Sequence, residues 1–274
     1  MRIFISVDIE GVAGVCEGFQ GQRGNPEYEV ARRLMTEEAN AAIRGAFTGG
    51  ATAVTVADSH GPMRNIIAED LDPRAELVSG KPRPLSMIEG VEQGDAGVVL
   101  IGYHAAADNF GVLSHTIAGI AFRRIEVNGV LAGEPTLFAG HAAEIGVPLL
   151  AVSGDDRLAE EIAVQFPGTA FARVKTALGA MAAKSLSPQA SRALIEQTVQ
   201  EAVAGAGARK PQPAVTPPLQ TTVSFVHQKQ ADAVALLPFV ERLSARDIGF
   251  TLDSHARLIG TLSAMALVAR AAMD

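Results

Sequence analysis

Short apolar runs alternate with stretches of helical periodicity along this chain, and together they predict a layered α/β fold. Residues 3–7, 53–57, 98–101 and 148–152 have the length and apolar character of buried strands, with 76–78 a weaker candidate. After the first strand, Val30, Leu34, Ala39, Ile43 and Phe47 recur at helical spacing, and Gly49-Gly50 ends that helix. Such alternation implies a three-layer α/β/α arrangement around a largely parallel or mixed sheet. A different pattern interrupts it at residues 123–132. Residues 123–127 and 130–132 there flank Asn128-Gly129, a pair that accepts the positive φ angles of a type I′ turn, so a β-hairpin is expected. Helices are expected over 135–145, after the capping pair Asp155-Asp156, over 188–204 and from 255 to about 272, with a late strand over 222–226. Gly205, Gly207, Pro211, Pro213, Pro217 and Pro218 mark a surface connection at 205–218. Too little chain follows for a second domain, so residues 1–274 read as one.

The chemistry sits where these runs stop. Asp8 and Glu10 end the first strand in Ser6-Val7-Asp8-Ile9-Glu10-Gly11, His60 follows the second in Asp58-Ser59-His60-Gly61, and His104 follows the fourth in Gly102-Tyr103-His104. Glu134 leaves the hairpin in Gly133-Glu134. In an open α/β sheet, polar residues just past neighbouring strand ends gather at one edge, where such folds carry their sites. Asp8 and Glu10 point the same way along an extended segment and repel unless a cation or proton intervenes. Two histidines and three carboxylates exceed what one tetrahedral zinc takes, and they suit two metals sharing a carboxylate. His115, in a glycine-containing loop, adds a third histidine nearby, whereas His141, His227 and His255 read as structural or surface residues.

Composition narrows the classes. A net charge of −7 with no basic cluster argues against nucleic acid, and 48% hydrophobic with 19% charged residues argues against disorder. The single Cys16 supports neither an internal disulfide nor a cysteine zinc site and reads as a small loop residue. No Gly-x-Ser-x-Gly elbow, P-loop or dinucleotide fingerprint is present. The first apolar run stops at Asp8, too short for a signal peptide, and no stretch approaches the roughly 20 residues of a membrane span. No membrane partner and a cytoplasmic location are expected.

Taken in order, Ser6 to Gly11, Met35-Thr36-Glu37-Glu38-Ala39-Asn40, Asp58-Ser59-His60, Gly102-Tyr103-His104-Ala105, Ser114-His115, Gly133-Glu134, Gly154-Asp155-Asp156 and Ser187-Pro188 resemble the DppA-type D-aminopeptidases, self-compartmentalising zinc peptidases. The resemblance runs from Arg2 to the last helix. It implies an α/β/α fold, two Zn²⁺ per subunit and a homodecamer of two stacked rings. It also implies that Asp8 bridges the metals, that Glu10 and His60 complete one and His104 with Glu134 the other, and that His115 is the catalytic histidine beside them. Short peptides with D-residues are the implied substrates; nothing in composition or spacing speaks to chirality. One position departs from the family, Phe138 standing where an asparagine is frequent. Read from the residues alone, another metal-dependent amidase or phosphoesterase stays open, as does a metal-containing peptide-binding protein of a dipeptide transport system. Against a phosphoesterase, no Arg/Lys cluster adjoins the ligand motifs in sequence. Against the binding protein, His115 has no purpose there and no export signal is visible.

Overall fold

Side-chain alternation in the first strand, β1 (Arg2–Val7), decides how the layers assemble. The structure, a computed structural model, describes residues 1–273. Ile3, Ile5 and Val7 point into one apolar cluster and Phe4 into another, so the strand is buried on both faces. Beside it run β2 (Ala53–Asp58), β3 (Ala75–Val78) and β4 (Gly97–Ile101), followed along the chain by β5 (Phe122–Val127), β6 (Val130–Leu131), β7 (Leu149–Asp155), β8 (Ala170–Gly179) and β9 (Ala182–Ser185). One seven-stranded sheet has the order β3-β2-β1-β4-β7-β8-β9, parallel throughout except for the final β8–β9 pair. Helices α1 (Tyr28–Thr48) and α4 (Pro188–Ala204) cover one face through Ala39, Ile43, Ile195 and Val199. The other face carries α2 (Glu134–Glu144), α3 (Asp156–Gln165) and α6 (His255–Ala271), with Phe138, Leu158 and Leu262 in the same cluster as Phe4. The α/β arrangement expected from the periodicity is the one observed.

The hairpin belongs to something larger than the sequence pattern suggests. β5 and β6 pair across Asn128 (φ 52°) and Gly129 (φ 78°), as an Asn-Gly turn requires. They then join β10 (Leu219–Phe225), β11 (Glu241–Arg242) and β12 (Asp247–Leu252) in a five-stranded antiparallel sheet of order β11-β12-β10-β5-β6. A short helix, α5 (Gln228–Val234), links β10 to β11. Phe122, Ile125, Val223 and Phe225 of this sheet share the buried cluster of α2 and α6, so the two sheets are packed through one apolar core. Ser187, Asp155 and Ser254 cap α4, α3 and α6 at their N-termini. Among the described residues no helix is long and apolar enough to cross a membrane.

Candidate metal centre

Parallel pairing of β1 with β2 and β4 brings three strand ends to one edge. Val7 lies opposite both Asp58 and Ile101, and the residues that follow leave the sheet together. Asp8 N donates to Ile101 O at 2.8 Å and Ser59 N to Val7 O at 2.8 Å, so the loops start from a fixed register. Gly11 N donates to Gly102 O at 2.7 Å. At that crossing a Cβ on Gly11 would sit 1.9 Å from Tyr103 O, and one on Gly102 (φ +70°) would sit 2.3 Å from Asp8 O. The glycines after Glu10 and before His104 are therefore what lets the two loops touch. Behind them, Ser6 Oγ bonds Ser59 Oγ at 2.7 Å and Tyr103 Oη at 2.6 Å, tying the three strand ends by buried hydroxyls. Glu134 arrives from the opposite direction, as the first residue of α2 after the hairpin.

The carboxylates and imidazoles converge. Asp8 Oδ1 lies 3.3 Å from His60 Nδ1 and Asp8 Oδ2 lies 3.3 Å from His104 Nε2, so its two oxygens face opposite arms of the site. Glu10 Oε2 is 2.8 Å from His60 Nδ1, and Glu134 Oε2 is 3.4 Å from His104 Nε2. Single donor atoms of Asp8, Glu10 and His104 lie within 4.8 Å of one another, as do those of His104, His115 and Glu134. The rings of His104 and His115 stack at 4.1 Å and 12°. Each histidine is held by a backbone carbonyl at its other nitrogen: His60 Nε2 by Gly21 O at 2.9 Å, His104 Nδ1 by Ala105 O at 3.0 Å, His115 Nδ1 by Leu113 O at 2.9 Å. A carbonyl accepts only from N–H, so in the neutral rings Nδ1 of His60 and Nε2 of His104 and His115 carry the lone pair. Holding His115 there uses unusual backbone, since Leu113 (φ 55°) and Ile117 (φ 63°) are left-handed, at a cost on the order of 1–3 kcal/mol each. Ile117 N is thereby turned onto Glu134 Oε1 at 2.9 Å, leaving Oε2 free.

Charge at the centre is unbalanced without a cation. Burial pushes the Asp8 carboxyl up, and Glu10 beside it adds to the rise. For Glu10 and Glu134 burial acts upward too, but His60 and His104 respectively outweigh it and hold them below the usual carboxylate range. The imidazoles show the converse. Burial works against charge on His60 and His104, yet the neighbouring carboxylates push both well above the ordinary imidazole value. Protons on the rings thus stand in for positive charge that three carboxylates demand. His104 Nε2 and Glu134 Oε2 are buried with no hydrogen-bond partner among the described residues. Two unsatisfied buried polar atoms side by side, beside a carboxylate with both oxygens turned inward, fit a metal that would take the place of the ring proton.

Comparison with known proteins agrees. The D-aminopeptidase family profile matches residues 1–264. A D-aminopeptidase from Bacillus subtilis (strain 168) is 39% identical over 244 residues, 88% of this chain and 87% of the relative. The chain belongs to the D-aminopeptidase family. A solved structure, the zinc-dependent D-aminopeptidase DppA from Bacillus subtilis, a self-compartmentalising protease, superposes with a TM-score of 0.94 at 33% identity, covering 98% of both chains.

Several groups that organise this D-aminopeptidase site escape sequence reasoning. Lys175 on β8 is buried, and its ammonium donates to Glu10 O at 2.5 Å, Val15 O at 2.6 Å and Val12 O at 3.2 Å, clamping the loop that carries Glu10. Burial pushes its pKa down to about 8. Glu38 on α1 holds the same loop from the other side, accepting from Ala13 N at 3.0 Å and Ser191 Oγ at 2.7 Å. Asp58 is no part of the donor set; its carboxylate accepts from Ile66 N at 2.6 Å and Asn65 Nδ2 at 2.8 Å, closing the turn behind His60. His255 is buried against Glu144 at 2.7 Å, in the structural role expected of it. Alternation along 170–179 does not flag Lys175, which is in phase with exposed Arg173 and opposite to buried Ala172 and Val174, so its burial breaks the pattern.

Proposed function

We propose that the chain is a zinc aminopeptidase that removes the N-terminal residue, a D-residue, from short peptides, with Asp8, Glu10, His60, His104 and Glu134 holding two zinc ions. The observation that carries this reading is Asp8, which presents one oxygen to each histidine arm at 3.3 Å. Membership of the D-aminopeptidase family and the likeness to a zinc-dependent enzyme support the metal and the substrate class. Zinc, when bound, supplies Lewis-acid polarisation of the scissile carbonyl and activation of water. The chain's own residues do the rest. Glu10 with His60 and His104 with Glu134 form the two arms, and Asp8 joins them. His115, its Nδ1–H given to Leu113 O, offers Nε2 to the reacting centre as nucleophile or proton-transfer group. Stacking on His104 fixes its plane. Because the structural relative is self-compartmentalising, a homo-oligomer is proposed too, a decamer by the ring architecture that the motifs imply.

Elemental analysis of the purified protein is expected to find close to two zinc ions per chain, with activity lost on chelation. His104→Ala should lose metal and nearly all turnover. His115→Ala should keep its metal while kcat falls by roughly 10²–10⁴-fold; a loss of metal in that variant would move His115 into the ligand set. Faster hydrolysis of L-alanyl than of D-alanyl dipeptides would remove the D-preference. Light scattering should give a mass near ten chains, and a fully active monomer would refute the assembly while sparing the metal chemistry.

A further inference from the structure

Two cavities reach the centre from different sides. The larger, about 730 Å³, touches Glu10, His60 and His115 and is walled by Phe110, Leu178 and Met181. Its one cation, Arg157, is already paired with Glu160 at 3.0 Å and Asp156 at 3.6 Å. The smaller, about 550 Å³, has Asp8, Glu10, His60 and Glu134 at its inner end and Lys81, Arg83 and Arg270 on its walls. Lys81 and Arg83 are two residues apart, and Arg270 joins them from the far end of the chain. None forms an ion pair with a carboxylate among the described residues. Arg83 is anchored instead by a backbone oxygen, Nη2 donating to Asp58 O at 2.6 Å, while Asp58 and Glu89 act on it only at longer range. Lys81 is pushed below the ordinary lysine value, by partial desolvation first and then by Arg270. Ser263 Oγ, which has no hydrogen-bond partner, lines the same wall. One cavity thus carries three cations with no carboxylate partner among the described residues and the other none, an asymmetry that a small zwitterion matches in only one direction.

We propose that Lys81, Arg83 and Arg270 form a subsite for the C-terminal carboxylate of a short peptide whose scissile bond lies at the Asp8–His104 centre. The subsite deepens the aminopeptidase reading and rests on it. A peptide's ammonium is repelled by these cations and so faces the larger cavity, whose apolar wall receives the N-terminal side chain. Its carboxylate enters the smaller cavity, where an Arg or Lys partner gives a charge-assisted hydrogen bond. Substrates with the carboxylate one or two residues beyond the cleaved bond are therefore preferred.

Steady-state kinetics on a D-alanyl dipeptide as free acid and as C-terminal amide test this directly. The zinc-loaded wild type should favour the free acid by roughly tenfold or more in kcat/KM, chiefly through KM. Arg270→Ala and Lys81→Met should each bring the acid-to-amide ratio towards one. Arg257→Ala, on the same helix but paired with Asp253, should leave the ratio at its wild-type value. Equal use of acid and amide by the wild type, or a ratio unmoved in both cation variants, would overturn the subsite while leaving the aminopeptidase standing. Turnover of neither substrate would overturn the aminopeptidase and the subsite with it. Preferential hydrolysis of a phosphomonoester would reassign the cations to phosphate.

Discussion

His60 and His104 sit among three carboxylates, and their protonation decides how the centre responds to pH. Both have folded-state pKa values raised above the ordinary 6.5. In metal-free protein such groups contribute stability that is fully present below 6.5 and is lost as pH rises through the folded values. Zinc reverses the sign, because only neutral imidazole ligates and acid competes the metal away. Chelated protein should therefore melt at lower temperature as pH rises from about 6 to about 8, while zinc-loaded protein melts higher over the same interval. Parallel slopes in the two thermal series would separate the histidines from the metal. At this scale the sequence was informative. The five candidate donors stand out because they follow apolar runs or a glycine, His115 by its glycine-containing loop and the family motif, and the structure brings the six together. What spacing alone could not convey is the orientation of each ring, which depends on the carbonyls of Gly21, Ala105 and Leu113.

Among the elements, the loop between β1 and α1 is the least self-sufficient. It carries Glu10, and it is fixed by Lys175 from β8 and Glu38 from α1. Replacing Lys175 with Met leaves Glu10 O and Val15 O without a donor, while Val12 O keeps Val15 N at 3.1 Å, and each unsatisfied buried carbonyl costs about 1–3 kcal/mol. Lys175→Met should lose at least about 2 kcal/mol of stability in denaturant unfolding and bind zinc more weakly in competition with a chelator. A variant with lowered stability but unchanged zinc affinity would confine Lys175 to the core. Strands β1, β2, β4 and β7 were legible as apolar runs buried on both faces. Of the antiparallel sheet, the hairpin of β5 and β6 and the late strand β10 were legible singly, but β12 and the joining of these strands, far apart in sequence, into one sheet were not. The segment Met35 to Asn40 served the sequence reading only as a family marker. In the fold its polar members hold loops: Thr36 Oγ1 accepts from Ile67 N at 3.0 Å, Glu38 holds Ala13 N, and Asn40 bonds Asp70 O and Asp72 N, both at 2.8 Å.

At the scale of the whole molecule, net charge misleads. A chain of −7 gives no hint of a cationic wall, because Arg270 joins Lys81 and Arg83 only when α6 folds back towards the edge of the first sheet. Large apolar side chains remain exposed around the wider cavity, Phe110 at 82% and Leu178 at 71%, where a substrate side chain or a second subunit finds contact area. The two cavities meet at Glu10, His60, His115 and Ile120 and lead away from the centre separately. Their separation has a consequence for traffic. In the binding mode proposed above, the freed amino acid and the shortened peptide occupy different chambers after cleavage, so neither has to leave before the other. Both products can then be resident on one enzyme at the same time. Initial rates measured with the two products added together should fall below the level expected for mutually exclusive inhibitors, giving intersecting rather than parallel lines in a double-inhibition plot. Parallel lines would mean a single exit shared by both.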